Sequence, residues 1–303
     1  MITRRELLAG AVGAMLNAIE GSTLVHEHVL VDFGGMVSPG RYDRDEVFRL
    51  ARPKLEEVRK LGCRCFLDCT PNYLGRDSEM LARLSDAVGL EICTNTGIYG
   101  AADRKGVPAF VRDESAAQLA KRFIAEAVDG VGGMKPRFIK TGVATAPLDE
   151  LDHKLVRAAA IASRETGLTV ASHTGRGRAA LDQLDIFAAE KVSAEKFVWV
   201  HAQNEKDHAI HEKVARVGSW VEFDAFREGR SDWQRDCVRW MAEHNLLGRT
   251  LIANDSGWYH VGEPGGGDFA GYAFIYTGFL PMLAPSWRYQ LMVTNPKAAF
   301  GIK

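Results

Sequence analysis

The chain has 303 residues, 46% hydrophobic and 25% charged, which are the proportions of a globular protein and exclude a disordered or collagen-like one. Thirty-eight Lys and Arg nearly cancel 39 Asp and Glu, for a net charge of −1, so there is no basic footprint for nucleic acid or an anionic membrane. No run approaches the ~20 apolar residues that span a bilayer.

The N-terminus carries a targeting pattern. Thr3-Arg4-Arg5-Glu6-Leu7-Leu8 resembles a twin-arginine signal, Ala9 to Leu16 supplies a short apolar region, and Leu16-Asn17-Ala18 approximates a small-residue cleavage site. Residues 1–18 therefore read as a twin-arginine signal segment directing a periplasmic or secreted protein, and residues 19–303 as the folded domain. The alternative is a basic tail and a short first helix on a cytoplasmic protein.

From Thr23 onward, short apolar β-rich runs alternate with helical patterns. Strands are predicted to begin near Thr23, Cys63, Glu91, Phe138, Thr169, Phe197, Trp220 and Thr250. Between them lie apolar stripes at helical spacing, such as Leu148, Leu151, Leu155, Ala158 and Ala162, or Ile210, Val214 and Val217. Gly62, Gly89 and Gly167 stand where helices should stop. Cys63, Cys65 and Cys69 crowd one apolar run and read as small buried hydrophobes rather than a zinc or redox site. The stretch from Ser256 to Asp268, rich in Gly around Pro264, is expected to be an irregular, flexible loop over the active face. Its Gly265-Gly266-Gly267 opens no helix after a strand, so it is no phosphate cradle. Eight strand–helix alternations without a linker predict a single (β/α)8 TIM barrel. A doubly wound sheet would want a glycine-rich turn after its first strand, where His26-Glu27-His28 stands instead.

The ionisable residues fall into place on this frame. In the first strand Leu24, His26 and His28 share one parity, so both imidazoles should point to one side. Lys140 lies near the end of Phe138-Ile139-Lys140-Thr141-Gly142, and His173, His201 and Asp255 close the strands before them. The C-terminal ends of strands build barrel active sites. Four imidazoles, an amine and a carboxylate in one mouth would cost several kcal/mol per unpaired charge, and a metal centre removes that cost. One tetrahedral ion cannot use six such ligands, so two divalent ions are expected. His26, His28 and Asp255 would hold one, His173 and His201 the other. An ammonium has no acceptor for a cation, but Lys140 joined to CO2 as a carbamate would offer one oxygen to each ion. Two divalent ions less the carbamate, Asp255 and a bridging hydroxide leave +1, suited to an anionic transition state. His and carboxylate ligands accept Zn²⁺ first, with Mn²⁺, Co²⁺ or Fe²⁺ as alternatives.

Thr23-Leu24-Val25-His26-Glu27-His28, Thr96-Gly97-Ile98-Tyr99, Phe138-Ile139-Lys140, Ser172-His173-Thr174, Val200-His201, Asn254-Asp255 and the terminal Asn295-Pro296-Lys297-Ala298-Ala299-Phe300 together resemble the phosphotriesterase-like family of the amidohydrolase superfamily. That resemblance covers Thr23 to Phe300. It implies a binuclear metal hydrolase with a carboxylated lysine, commonly a homodimer, acting on small lactones, carboxylic esters or organophosphate triesters. Metal ligation carries over to His26, His28, Lys140, His173, His201 and Asp255. Tyr99 stands where lactone-hydrolysing relatives place a tyrosine at the reacting centre. The arginine those relatives often carry after the strand-seven aspartate is replaced by Ala225, with Arg227 two residues later as a substrate-binding candidate. Trp258 and His260 in loop eight are expected to line the substrate pocket. Asp255 is expected to take the proton when the nucleophile attacks. The alternatives are a genuine phosphotriesterase (aryldialkylphosphatase), a non-catalytic metal- or ligand-binding barrel, and a mononuclear deaminase.

Overall fold

The computed structural model describes residues 18–34 and 42–302, so the twin-arginine reading lies, but for Ala18, outside the described residues. Every predicted strand forms: β1 (Ser22–Val31), β2 (Cys63–Asp68), β3 (Glu91–Cys93) with its short continuation β4 (Asn95–Thr96), β5 (Phe138–Gly142), β6 (Val170–His173), β7 (Phe197–Val200), β8 (Trp220–Phe223) and β9 (Thr250–Ile252). Their pairings are all parallel, and the strands are mostly buried and largely apolar because helices cover one face and the barrel interior the other. An unpredicted strand, β10 (Gly257–His260), lies parallel to β1, with His28 opposite Gly257 and Val31 opposite His260. The irregular-loop expectation for Ser256 to Asp268 is therefore corrected. Gly266 is not a point of flexibility either, since it is buried and a β-carbon there would sit 2.2 Å from the Tyr259 ring.

Two arcs, β10-β1-β2-β3 and β4 through β9, follow one another through the chain. The seam closes where Asp255 N–H donates to the His26 carbonyl at 3.1 Å and His28 N–H to that of Ser256 at 2.9 Å. The result is a (β/α)8 barrel. Its interior is filled by Val25, Leu67, Phe138, Val198, Trp220 and Leu251. The bottom is plugged by the C-terminal segment, with Phe300 edge-on to Phe138 at 5.8 Å and Thr169 donating to the Ala299 carbonyl at 2.6 Å. The plug leaves the opposite mouth as the open end.

One strand breaks the period-two expectation. Three residues of β1, from Leu24 to Glu27, advance against two of β2, from Phe66 to Asp68. This bulge turns Leu24 outward to the helix layer and Val25 into the barrel, so Leu24 does not share the side of the two imidazoles. The helical stripes hold on α1 (Glu150–Thr166), where Leu155, Ala158 and Ala162 are buried and Gly167 ends the helix at φ 75°. On α2 (His208–Arg216) Val214 is buried, but Val217 follows the helix and is 56% exposed. At Gly62 (φ 96°) a β-carbon would lie 2.5 Å from the Ile19 carbonyl, so glycine is needed there for close approach.

α2 also carries His211, buried beneath Trp199. Its Nε2–H donates to the Ala202 carbonyl at 2.8 Å, and its Nδ1 faces Nδ1 of His208 at 3.1 Å. Burial lowers its pKa from the ordinary 6.5 to about 4, with Glu205 and Asp207 too weak to offset it. The unfolded chain therefore binds a proton that the native chain does not between about pH 6.5 and 4, and stability falls as pH drops through that window. From pH 7 to 5 this ring is expected to remove about 2 kcal/mol, and His211→Gln should abolish that much of the loss in unfolding free energy between those pH values, so that the denaturant midpoint falls less steeply as pH drops. Parallel slopes for variant and wild type would refute it.

Candidate metal centre

Each expected ligand sits where a strand end or seam places it. His26 and His28 project from β1 on either side of Glu27. Lys140 projects from the middle of β5, His173 ends β6, His201 follows β7, and Asp255 follows β9. All six line one cavity of about 300 Å³. The imidazole centroids lie 5.3 Å apart for His26–His28 and His26–His201, and 4.4 Å for His173–His201. Ligand atoms of His26, His201 and Asp255 all fall within 4.8 Å of one another.

Partners behind the rings fix which nitrogen faces inward. Nδ1 of His26 meets a Glu222 oxygen at 2.7 Å, and Nδ1 of His201 an Asp224 oxygen at 2.9 Å. Nδ1 of His28 donates to the Thr70 hydroxyl at 2.9 Å, since that hydroxyl spends its own proton on the Leu30 carbonyl. Each Nε2 is thereby left as a lone pair turned to the cavity, as metal-ligating histidines require. In the same space, Nε2 of His28 and Oδ1 of Asp255 are buried without a hydrogen-bond partner and lie 3.3 Å apart. Among the described residues, the amine of Lys140, 2% exposed, has Nε2 of His26 as its one hydrogen-bond partner, at 3.4 Å. Orphaned buried atoms converging on one point are costly unless something fills it, and divalent cations fit this donor set.

The electrostatics divide the rings: burial and Lys140 lower the His26 pKa, but Cys69, Glu222 and Asp255 together hold it well above its ordinary value, so an ion at its Nε2 would displace a proton. Burial holds His28 near a pKa of about 3 and His173 well below its ordinary value, so both rings stay neutral as ligands must. Burial opposes ionisation of Asp255, yet the His26 and His28 rings, 3.6 and 3.3 Å from its Oδ1, outweigh it and hold the carboxyl well below the usual carboxylate range. His201 (φ 67°), Asp255 (φ 51°) and Trp258 (φ 72°) all have left-handed backbone, costing of order 1–3 kcal/mol each. Such strain is concentrated where the mouth has to aim its side chains.

Glu27, between the two histidines and fully buried, faces away from the cavity. One oxygen accepts from the Asn254 N–H at 3.0 Å and its amide at 3.1 Å, the other from the Ser256 N–H at 3.0 Å, so the carboxylate straddles Asp255. Burial lifts its pKa to about 8 against these donors. Sequence reasoning missed Glu27, Thr70 and Glu222. Glu222 left a signal, as a charge in an apolar strand in step with Asp224.

The other predicted site residues divide. Tyr99 lines the cavity, edge-on to His173 at 5.2 Å, and Trp258 stacks on His28 at 3.7 Å. Arg227 does not line it, because its guanidinium is spent on the carbonyls of Phe226, Asn254 and Asp255 at 2.7, 3.1 and 3.2 Å. His260 lies outside the lining, 6.2 Å from the Phe33 ring. Phe33, Val31, Leu74 and Pro71 supply an apolar wall that sequence reading did not name. The five cysteines are free and buried. Cys65 and Cys93 meet at 3.6 Å beside Glu91, where the Cys93 thiol and burial keep Cys65 protonated, a state for packing rather than ligation.

A (β/α)8 barrel with this cluster at its open mouth is a metal-dependent hydrolase. The model of the Phosphotriesterase family matches residues 7–297, and the chain belongs to that family. It is 24% identical over 275 residues to the phosphotriesterase homology protein of Escherichia coli (strain K12), covering 88% of this chain and 91% of that one. Among solved structures it resembles a variant of the organophosphorus hydrolase from Deinococcus radiodurans, with TM-score 0.83, 23% identity and coverage of 94% of each chain. It also resembles a lactonase from Listeria monocytogenes, with TM-score 0.78, 20% identity and coverage of 95% of this chain and 96% of that one. No helix among the described residues is long and apolar enough to cross a membrane.

Proposed function

We propose that the chain is a binuclear-metal hydrolase of lactones or carboxylic esters, with organophosphate triester hydrolysis as a side activity. The observation that carries this reading is the convergence of inward lone pairs and orphaned ligand atoms in one apolar-walled cavity. His26, His28 and Asp255 would hold one ion, His173 and His201 the other, with Zn²⁺ the first choice. Lys140 would join them as a carbamate: its ammonium gives one proton to water, the neutral nitrogen bonds to CO2 with loss of a second proton, and the product carries one negative charge on two oxygens. When bound, the ions supply Lewis-acid polarisation of the scissile carbonyl and a nucleophile at neutral pH.

The chain's own residues do the rest. Asp255, held ionised by His26 and His28, receives the proton that water gives up on attack. The Tyr99 hydroxyl, raised above its ordinary pKa by burial and by Asp255, stays protonated and donates to the oxygen on which charge develops. Trp258 and Phe33 wall off solvent, which strengthens each of these interactions. The place of Tyr99 at His173 favours the planar carbonyl substrates of lactone-hydrolysing relatives. A second reading, aryldialkylphosphatase, draws on a curated relative of that name from Saccharolobus solfataricus, 29% identical over 212 residues.

Elemental analysis and a panel of lactones, aryl acetates and aryl dialkyl phosphates, with Zn²⁺ or Co²⁺, test both. Two ions per chain and a lactone or ester kcat/KM at least about tenfold above any triester, a gap of about 1.4 kcal/mol in barrier, is the expected result. The reverse order supports the phosphatase, one ion per chain a mononuclear enzyme, and no turnover a binding barrel.

A further inference from the structure

The mouth of the barrel opens into two adjoining cavities that share Ala102 and His173. The first is the apolar one, walled by Phe33, Leu74 and Trp258. The second, about 320 Å³, runs over the loops that follow β5 and β6 and is lined by Asp103, Thr145, Gly175 and Arg176. Most donors near it are already committed. The Thr145 hydroxyl and the N–H groups of Ala144 and Thr145 go to Asp152, Arg104 is held by Asp149 and Asp152, and Arg178 by Asp182. Among the described residues, Arg176 is exposed at the rim of this cavity, its backbone carbonyl accepts from the Ala180 N–H, and its guanidinium has no hydrogen bond or ion pair. The apolar cavity offers no equivalent, since Arg227 is turned to backbone carbonyls and Lys140 lies at the metal centre.

We propose that this second cavity is a leaving-group subsite in which Arg176 binds an anionic oxygen group, a carboxylate or sulfonate, of the substrate. The inference rests on the hydrolase reading and narrows its substrate class to esters, lactones or amides with a small apolar acyl part and a singly charged acid on the departing part. The geometry fits. His173 is shared by both cavities and Arg176 is three residues further on, so their Cα atoms are at most roughly 11 Å apart and a small linker spans scissile carbonyl and acid. Asp103 lines the same cavity, which favours a monoanion over a dianionic phosphate monoester. A guanidinium is suited to the task because its planar fork matches two oxygens at once.

The test compares phenyl acetate with 4-acetoxybenzoate, which differ only in the distal carboxylate, on the metal-loaded full chain. Calorimetric binding of 4-hydroxybenzoate and of phenol runs alongside. The wild type should prefer the carboxylated ester. Arg176→Gln should lower the ratio of the two kcat/KM values about tenfold, through KM, and weaken 4-hydroxybenzoate binding by a similar factor, as expected for one lost hydrogen bond to a charged group. Arg176→Lys, which keeps the charge, should recover part of both effects. If the esters are hydrolysed with no preference, or Arg176→Gln leaves the ratio and the binding unchanged, the subsite is overturned while the hydrolase stands. If neither ester is turned over yet 4-hydroxybenzoate binds in an Arg176-dependent way, the subsite stands and the ester-hydrolase reading falls. Absence of both turnover and binding overturns the subsite.

Discussion

In a Lys140→Ala variant, metal content per chain should fall and ester hydrolysis should drop by more than about 10³-fold, while circular dichroism reports an intact barrel. The size follows from the several kcal/mol of Lewis-acid stabilisation that leaves with the ions. The fold should survive because, among the described residues, the amine's hydrogen-bond partner is His26 alone, at 3.4 Å, and alanine removes a buried amine rather than a partner of the core. Native mass spectrometry of the wild type should find the mass of one CO2 that alanine cannot carry. Full metal occupancy with full activity in the variant would remove the bridge from the account.

Asp255→Asn isolates charge from shape. The residue sits at φ 51°, a conformation asparagine tolerates, and the groups that hold its backbone, Glu27 and Arg227, are untouched. The amide cannot take a proton, so kcat should fall by about 10²–10⁴-fold with a smaller change in KM. Retention of kcat within tenfold would mean that the proton goes elsewhere.

Much of the fold and of the candidate ligand set was legible because a polar residue in an apolar strand stands out. His26, His28, Lys140, His173, His201 and Asp255 all interrupt runs that otherwise read as buried parallel strands. What escaped depends on partners remote in sequence. The β1 bulge that reverses Leu24 is a mismatch with β2 and has no local mark. β10 is short and glycine-led, and forms because β1 presents an edge to it. Thr70 is an ordinary threonine until His28, 42 residues away, needs an acceptor. Arg227 looked available from its place two residues past Ala225, but the carbonyls it satisfies come from its own loop and from the turn after β9.

The Glu27 carboxylate has an evolutionary consequence. It fixes the peptide groups on both sides of Asp255 from within β1, before the chain reaches the turn that begins after His260. Mutations that lengthen, shorten or reshape that turn can therefore accumulate without displacing Asp255. A lineage built this way can sample new substrates by drift in one segment while the chemistry beneath it is inherited intact.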